Sequence, residues 1–179
     1  MTAVIAFVGA AMIGALLAET RVSRANERAL RARGAVVPPG DVYAAMAVVY
    51  PMSFLAMAAE GVWRSSNAGG APDGPNWFVS GVLLFVASKA LKYWAIRALG
   101  ERWTFRVMVL PGVPLIRTGP YRHIDHPNYV AVVGELVGAA MMCGAPISGS
   151  IALVVFGALL WARVRFESAA LQRAYERRG

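Results

Sequence analysis

At 179 residues, the chain is long enough for one domain. Apolar types make up 58% of it and charged types 16%, below the roughly 25% usual in a soluble domain, so the balance points to a membrane protein. The net charge of +8 would suit nucleic acid, but the arginines fall between apolar segments, which fits membrane topology and argues against such a partner. The single cysteine, Cys143, excludes an internal disulfide and a zinc site built from cysteines.

Thr2 to Glu19 is an apolar run of about 18 residues, which just reaches the ~20 needed to cross a bilayer core. No Lys or Arg precedes Arg21, so a cleavable signal peptide would lack its basic head and a retained span is expected. Arg21 to Arg33 carries five arginines and predicts a separate amphipathic surface segment ended by Gly34. Such a basic stripe suits anionic lipid head groups. Val37-Pro-Pro-Gly40 is a turn, with Asp41 as the N-cap of the next helix. Val42 to Trp63 is a second span with Pro51 inside it, and Arg64 to Asn76 is a loop rich in Gly, Ser, Asn and Pro.

Trp77 to Leu99 is a third span. Lys89, Lys92 and Arg97 lie in its second half, where they snorkel to an interface or face a polar cavity. Trp103 to Leu110 alternates loosely, Pro111-Gly112 signals a turn and Val113 to Ile116 is extended, so a β-like connector on the membrane surface is expected. Two short helices, about Pro127 to Met142 and Ile151 to Trp161, follow as a hairpin around a turn at Gly144 to Gly149. Gly134 and Gly138 form a G-x-x-x-G pair that allows another helix to approach closely.

The fold expected is all-α: an integral membrane bundle of about five transmembrane helices with a C-terminal helical hairpin and a short β-like cytoplasmic connector. Five arginines lie in each of 21–33, 97–122 and 163–178, and none in 65–76. With five spans these basic segments share one side, which the positive-inside rule makes the cytoplasm. The N-terminus is then outside and the C-terminus inside.

The chemically able groups concentrate in Gly119-Pro-Tyr-Arg-His-Ile-Asp-His-Pro-Asn-Tyr129, which holds both histidines, His123 and His126. Pro127 suits the first turn of a helix, whose free amides and dipole favour a carboxylate or phosphate. Tyr121 and Tyr129 offer rings to flank a purine. Glu135 lies eight residues into that helix; it either pairs with Lys89 or Lys92 or lines a polar cavity. Arg163 and Glu167 are spaced i, i+4 and share a helix face, as an interfacial salt bridge or as a grip on substrate and cofactor. There is no G-x-S-x-G, H-E-x-x-H, P-loop or dinucleotide fingerprint, and two histidines three apart do not make a metal site.

Gly119-Pro-Tyr121, then His126-Pro-Asn-Tyr129, then a membrane helix pair closing with Arg163 and Glu167, resembles the isoprenylcysteine carboxyl methyltransferase family. The resemblance covers roughly 100–175; over 1–99 mainly the span layout matches. It implies an integral membrane enzyme that uses S-adenosylmethionine. It also implies one domain over 1–179, with three N-terminal spans in 1–99 and a cofactor-binding core of connector, hairpin and tail in 100–179.

Carried across, Val113, Pro114, Leu115 and Ile116 match the connector strand bordering the cofactor, and Tyr121 the tyrosine beside it. His126 and Pro127 match the His-Pro that lines the pocket, and Glu167 the carboxylate on the cofactor. Tyr129 and Glu135 are further cofactor-site candidates. Arg163 matches the arginine at the reacting group of the substrate. The family has Arg before His-Pro where this chain has Asp125, so Arg122 is the candidate to compensate toward substrate. The family also ends with paired glutamates where Ser168 follows Glu167 here.

The implied reaction moves a methyl group to a carboxylate or hydroxyl oxygen of a lipid-like molecule, an alkylpyrone or alkylresorcinol in preference to a prenylcysteine. His123 or His126 would help deprotonate a hydroxyl nucleophile. The composition suits a bacterial inner membrane. The competing readings are an NADPH-dependent membrane reductase of steroid-reductase type and a small transporter using Glu60 or Glu135.

Overall fold

The computed structural model describes residues 2–67, 75–110 and 112–176, with side chains of the last helix up to Glu167. Its helices are α1 (Thr2–Ala32), α2 (Tyr43–Asn67), α3 (Pro75–Leu99), α4 (Pro127–Cys143) and α5 (Pro146–Glu176), with 3-10 turns at Gly100–Arg102 and Gly119–Arg122. Among the described residues, four stretches are long and apolar enough to cross a membrane: Thr2–Ala32, Tyr43–Asn67, Asn76–Arg102 and Pro146–Glu167. Pro127–Cys143 is a shorter apolar helix, about 25 Å long against a hydrocarbon core of roughly 30 Å. The arrangement fits an integral membrane protein.

Two boundaries differ from those expected. The span at 2–19 and the basic segment at 21–33 are one helix, because no Gly or Pro lies between Glu19 and Gly34. The last helix starts at Pro146, runs through Gly149 and continues into the charged tail. Glu60 of α2 explains that start: its carboxylate accepts the backbone N–H groups of Ile147 (3.2 Å) and Ser148 (2.6 Å), so a neighbouring helix caps α5. Most of the loop expected at 64–76, Pro111 of the Pro-Gly turn, and the side chain of Ser168 lie outside the described residues.

The hairpin closes within two residues. Gly144 sits in the left-handed region at φ 59°, and the N–H groups of Gly144 and Ala145 bond back to Met141 (3.2 Å) and Ala140 (2.9 Å). The Gly134 and Gly138 pair packs on α3: a Cβ on Gly138 would stand 2.9 Å from both Gly81 O and Phe85 N, and one on Gly134 would strike Ser88 Oγ. Backbone cannot yield as a flexible side chain does. Gly138→Val is therefore expected to separate α3 from α4, and thermal stability in detergent should fall by about 3 kcal/mol or more.

The β-like connector does not form. Among the described residues there is no strand, only an isolated antiparallel bridge in which Val36 and Val109 exchange N–H···O bonds of 2.9 Å. The reason lies in where the backbone groups go. Ser23 Oγ accepts the Phe105 N–H (2.8 Å), and Asn26 Nδ2 donates to the carbonyls of Gly100 (3.2 Å) and Trp103 (2.8 Å). Arg102 NH1 donates to the Pro114 carbonyl (2.7 Å). Helix side chains thus satisfy groups that a partner strand would otherwise take.

A cavity between the connector and the helix bundle

The connector, the Gly119–Arg122 turn and all five helices contribute to the wall of a cavity of about 580 Å³. Seven of the residues picked out from the sequence line it: Leu115, Ile116, Tyr121, His126, Tyr129, Arg163 and Glu167. They come from three separate stretches of chain. Val113, Pro114, Pro127, Glu135 and Arg122 are not among the lining residues; Pro127 is buried at the first position of α4, and Arg122 is exposed. His123 is also exposed and off the cavity, whereas Asp125 lies on it.

The reading of Arg163 and Glu167 as an interfacial i, i+4 salt bridge does not describe their contacts. Tyr129 stands between them. Arg163 Nε donates to Tyr129 Oη (2.8 Å), and that hydroxyl donates to Glu167 Oε2. Among the described residues, one carboxylate oxygen of Glu167 is taken up in this way. The Tyr129 ring stacks on His126 with centroids 5.2 Å apart and planes 17° from parallel. His126 N-caps α4 through its backbone alone, which leaves the imidazole to the cavity. Burial, and then the Glu167 carboxylate, raise the Tyr121 hydroxyl well above its ordinary value, so it remains a donor across the neutral range.

Arg163 is 5% exposed. Beyond Tyr129, its NH1 donates to Asp41 Oδ1 (3.2 Å) and its NH2 to the Phe105 carbonyl. The same lining includes apolar Leu16, Val132, Phe156 and Leu160, with Lys92 and Tyr50 as further polar groups.

Lys92 belongs to a buried cluster. Lys89 Nζ lies 2.7 Å from Glu19 Oε1 and 3.2 Å from Glu135 Oε2, while Lys92 Nζ lies 2.7 Å from Glu19 Oε2 and 3.2 Å from Glu135 Oε2. Tyr50 Oη donates to Glu135 Oε2 as well. Of the two readings of Glu135, the structure has the pairing one, and with both lysines at once. Glu19 was missed from sequence because it ends an apolar run and looks interfacial. Its i, i+4 relation to Ser23, which also faces inward, was the available signal.

The Isoprenylcysteine carboxyl methyltransferase (ICMT) family model matches residues 81–173. The chain is similar to the uncharacterized protein YpbQ of Bacillus subtilis, at 28% identity over 155 residues, which is 87% of this chain and 89% of that one. It is also similar to an uncharacterized protein of Haemophilus influenzae, at 25% identity over 96 residues, covering 53% of this chain and 56% of the other. No solved structure matches it.

Proposed function

This chain belongs to the isoprenylcysteine carboxyl methyltransferase family, whose members are methyltransferases of membranes, and from that membership we propose that it moves a methyl group from S-adenosylmethionine to an oxygen of a lipid-like substrate. The observation that carries this reading is the mixed lining of one cavity. Tyr121, His126, Tyr129 and Glu167 line it together with apolar Leu16, Val132, Phe156 and Leu160. Its volume of about 580 Å³ lies within the range usual for small-molecule sites.

The residues suit the cofactor. Glu167 has a carboxylate to accept from a ribose diol, and the stacked His126 and Tyr129 rings present a flat surface to a purine. When bound, the cofactor supplies an electrophilic sulfonium methyl. The protein has then mainly to position an acceptor oxygen in line with it. Arg163, fixed by Tyr129, Asp41 and Phe105, orients that oxygen. A carboxylate acceptor needs no base; a hydroxyl acceptor gives up its proton to His126, the histidine that reaches the cavity. Leu16, Phe156 and Leu160 exclude water and receive the apolar part of the substrate.

The substrate class we favour is a small amphiphile such as an alkylpyrone or alkylresorcinol. We infer from the three basic segments that the connector, the cofactor site and the C-terminus are cytoplasmic and the N-terminus outside, and take the membrane to be a bacterial inner membrane. The test is twofold. Purified protein is expected to bind S-adenosylhomocysteine and not NADPH in equilibrium dialysis. Lipid extracts of cells making the protein are expected to gain a species heavier by one methyl group. Binding of NADPH alone would overturn the proposal.

A further inference from the structure

Asp41 is outside the cavity lining, and the sequence accounts for it as a helix cap. Its side chain is 5% exposed and does more than cap. Oδ1 accepts the Tyr43 N–H (3.1 Å) and an N–H of Arg163 NH1 (3.2 Å), while Oδ2 accepts the Val107 N–H (3.1 Å). Arg163 in turn grips the same connector at the Phe105 carbonyl. Two oppositely charged side chains therefore hold each other and also hold residues 105 and 107, both of which line the cavity. Capping α2 requires only the Tyr43 contact.

We propose that Asp41 is a positioning residue for methyl transfer: its ion pair with Arg163 latches residues 105–107 of the connector against the cavity and sets the direction of the guanidinium. The role in turnover rests on the methyltransferase reading; the latch itself does not. Both partners are nearly excluded from solvent, at 6% and 5% side-chain exposure, so salt screens the pair poorly. Arg163 has five N–H donors, and Tyr129, Asp41 and Phe105 each take one. An acceptor oxygen arriving in the cavity meets a guanidinium whose orientation is already set. Without the charge on Asp41, the cation is left unpaired in a buried place, and the connector loses its hold at Val107.

The variant that separates latch from cap is Asp41→Asn, because the amide oxygen still accepts from Tyr43. In detergent, trypsin cleavage after Arg106 is expected to accelerate by about tenfold or more, since cutting requires the connector to lift. Helix content and S-adenosylhomocysteine affinity are expected to stay near wild type. The kcat for methyl transfer should fall by about tenfold. An Asp41→Asn protein that is cut at the wild-type rate overturns the latch, even if the wild type transfers methyl groups.

If the wild type moves no methyl group, the methyltransferase reading and the positioning role both fall, while faster cutting still supports the latch. Hydrogen exchange on the unaltered protein decides the matter if the variant does not insert. The Val107 amide is expected to be protected, and exchange at an open-loop rate overturns the proposal.

Discussion

Glu167→Ala is expected to weaken S-adenosylhomocysteine binding by about tenfold to a hundredfold, the loss associated with a charge-assisted hydrogen bond of roughly 1.5–3 kcal/mol. The fold should survive, because Glu167 sits on the cavity wall and, among the described residues, only the Tyr129 hydroxyl bonds to it. The loss has two sources. The carboxylate proposed to hold the ribose hydroxyls is gone, and Tyr129 loses its acceptor, so the ring stacked on His126 is less firmly placed. Glu167→Gln separates them: the amide still accepts from Tyr129 but carries no charge. Calorimetric titration with S-adenosylhomocysteine is expected to rank wild type, then Gln, then Ala. Equal affinity in all three would remove Glu167 from the cofactor site.

Glu135→Ala is expected to damage the protein itself. Glu19, Glu135, Lys89 and Lys92 sum to zero charge, and Lys92, Glu19 and Glu135 are at most 2% exposed. Removing one carboxylate leaves two ammonium groups to share Glu19 and strips Tyr50 of its acceptor. An uncompensated buried charge of this kind costs about 3–5 kcal/mol, a large part of a total stability that is usually about 5–15 kcal/mol.

The measurement is the fraction of protein that remains monodisperse after heating in detergent. The double change Glu135→Ala with Lys89→Ala restores the charge balance. It is expected to be less damaging than the sum of its two single changes, a non-additivity that follows only if the four groups act as one cluster. Simple additivity would contradict that.

The helices were legible because their signals are local. Gly100, with φ 55°, ends α3 where the sequence places the break, and Pro127 opens α4. The G-x-x-x-G pair also announced a close helix approach, though not that α3 would make it, since small residues at that spacing have few other uses in a membrane helix. Of the site, the motif at 119–129 and the pair at 163 and 167 pointed to one place, and most of their side chains reach one cavity.

What was hidden depends on contacts across long separations. Ser23, Asn26 and Asp41 serve backbone groups 66 to 82 residues away, and no periodicity records which amide a polar side chain will meet. The connector misled for the same reason: alternation describes side chains, whereas strand formation depends on where the N–H and C=O groups find partners. Glu60 was legible as an isolated carboxylate near a helix end, but its use as a cap on α5 depends on a neighbour 87 residues later.

The position of Arg163 in the chain carries a consequence for biosynthesis. Everything it grips, Asp41, Phe105 and Tyr129, is translated before it. A nascent chain that has not yet reached α5 can tie its connector to α1, to the segment around the start of α2 and to Asn128 of α4, through Ser23, Asn26, Val36, Asp41, Tyr43 and the Trp103 indole, but not to Arg163. The cavity is therefore assembled last, when the closing half of the hairpin enters the membrane. A ribosome that releases the chain a few dozen codons early leaves a product with most of its spans and no completed site.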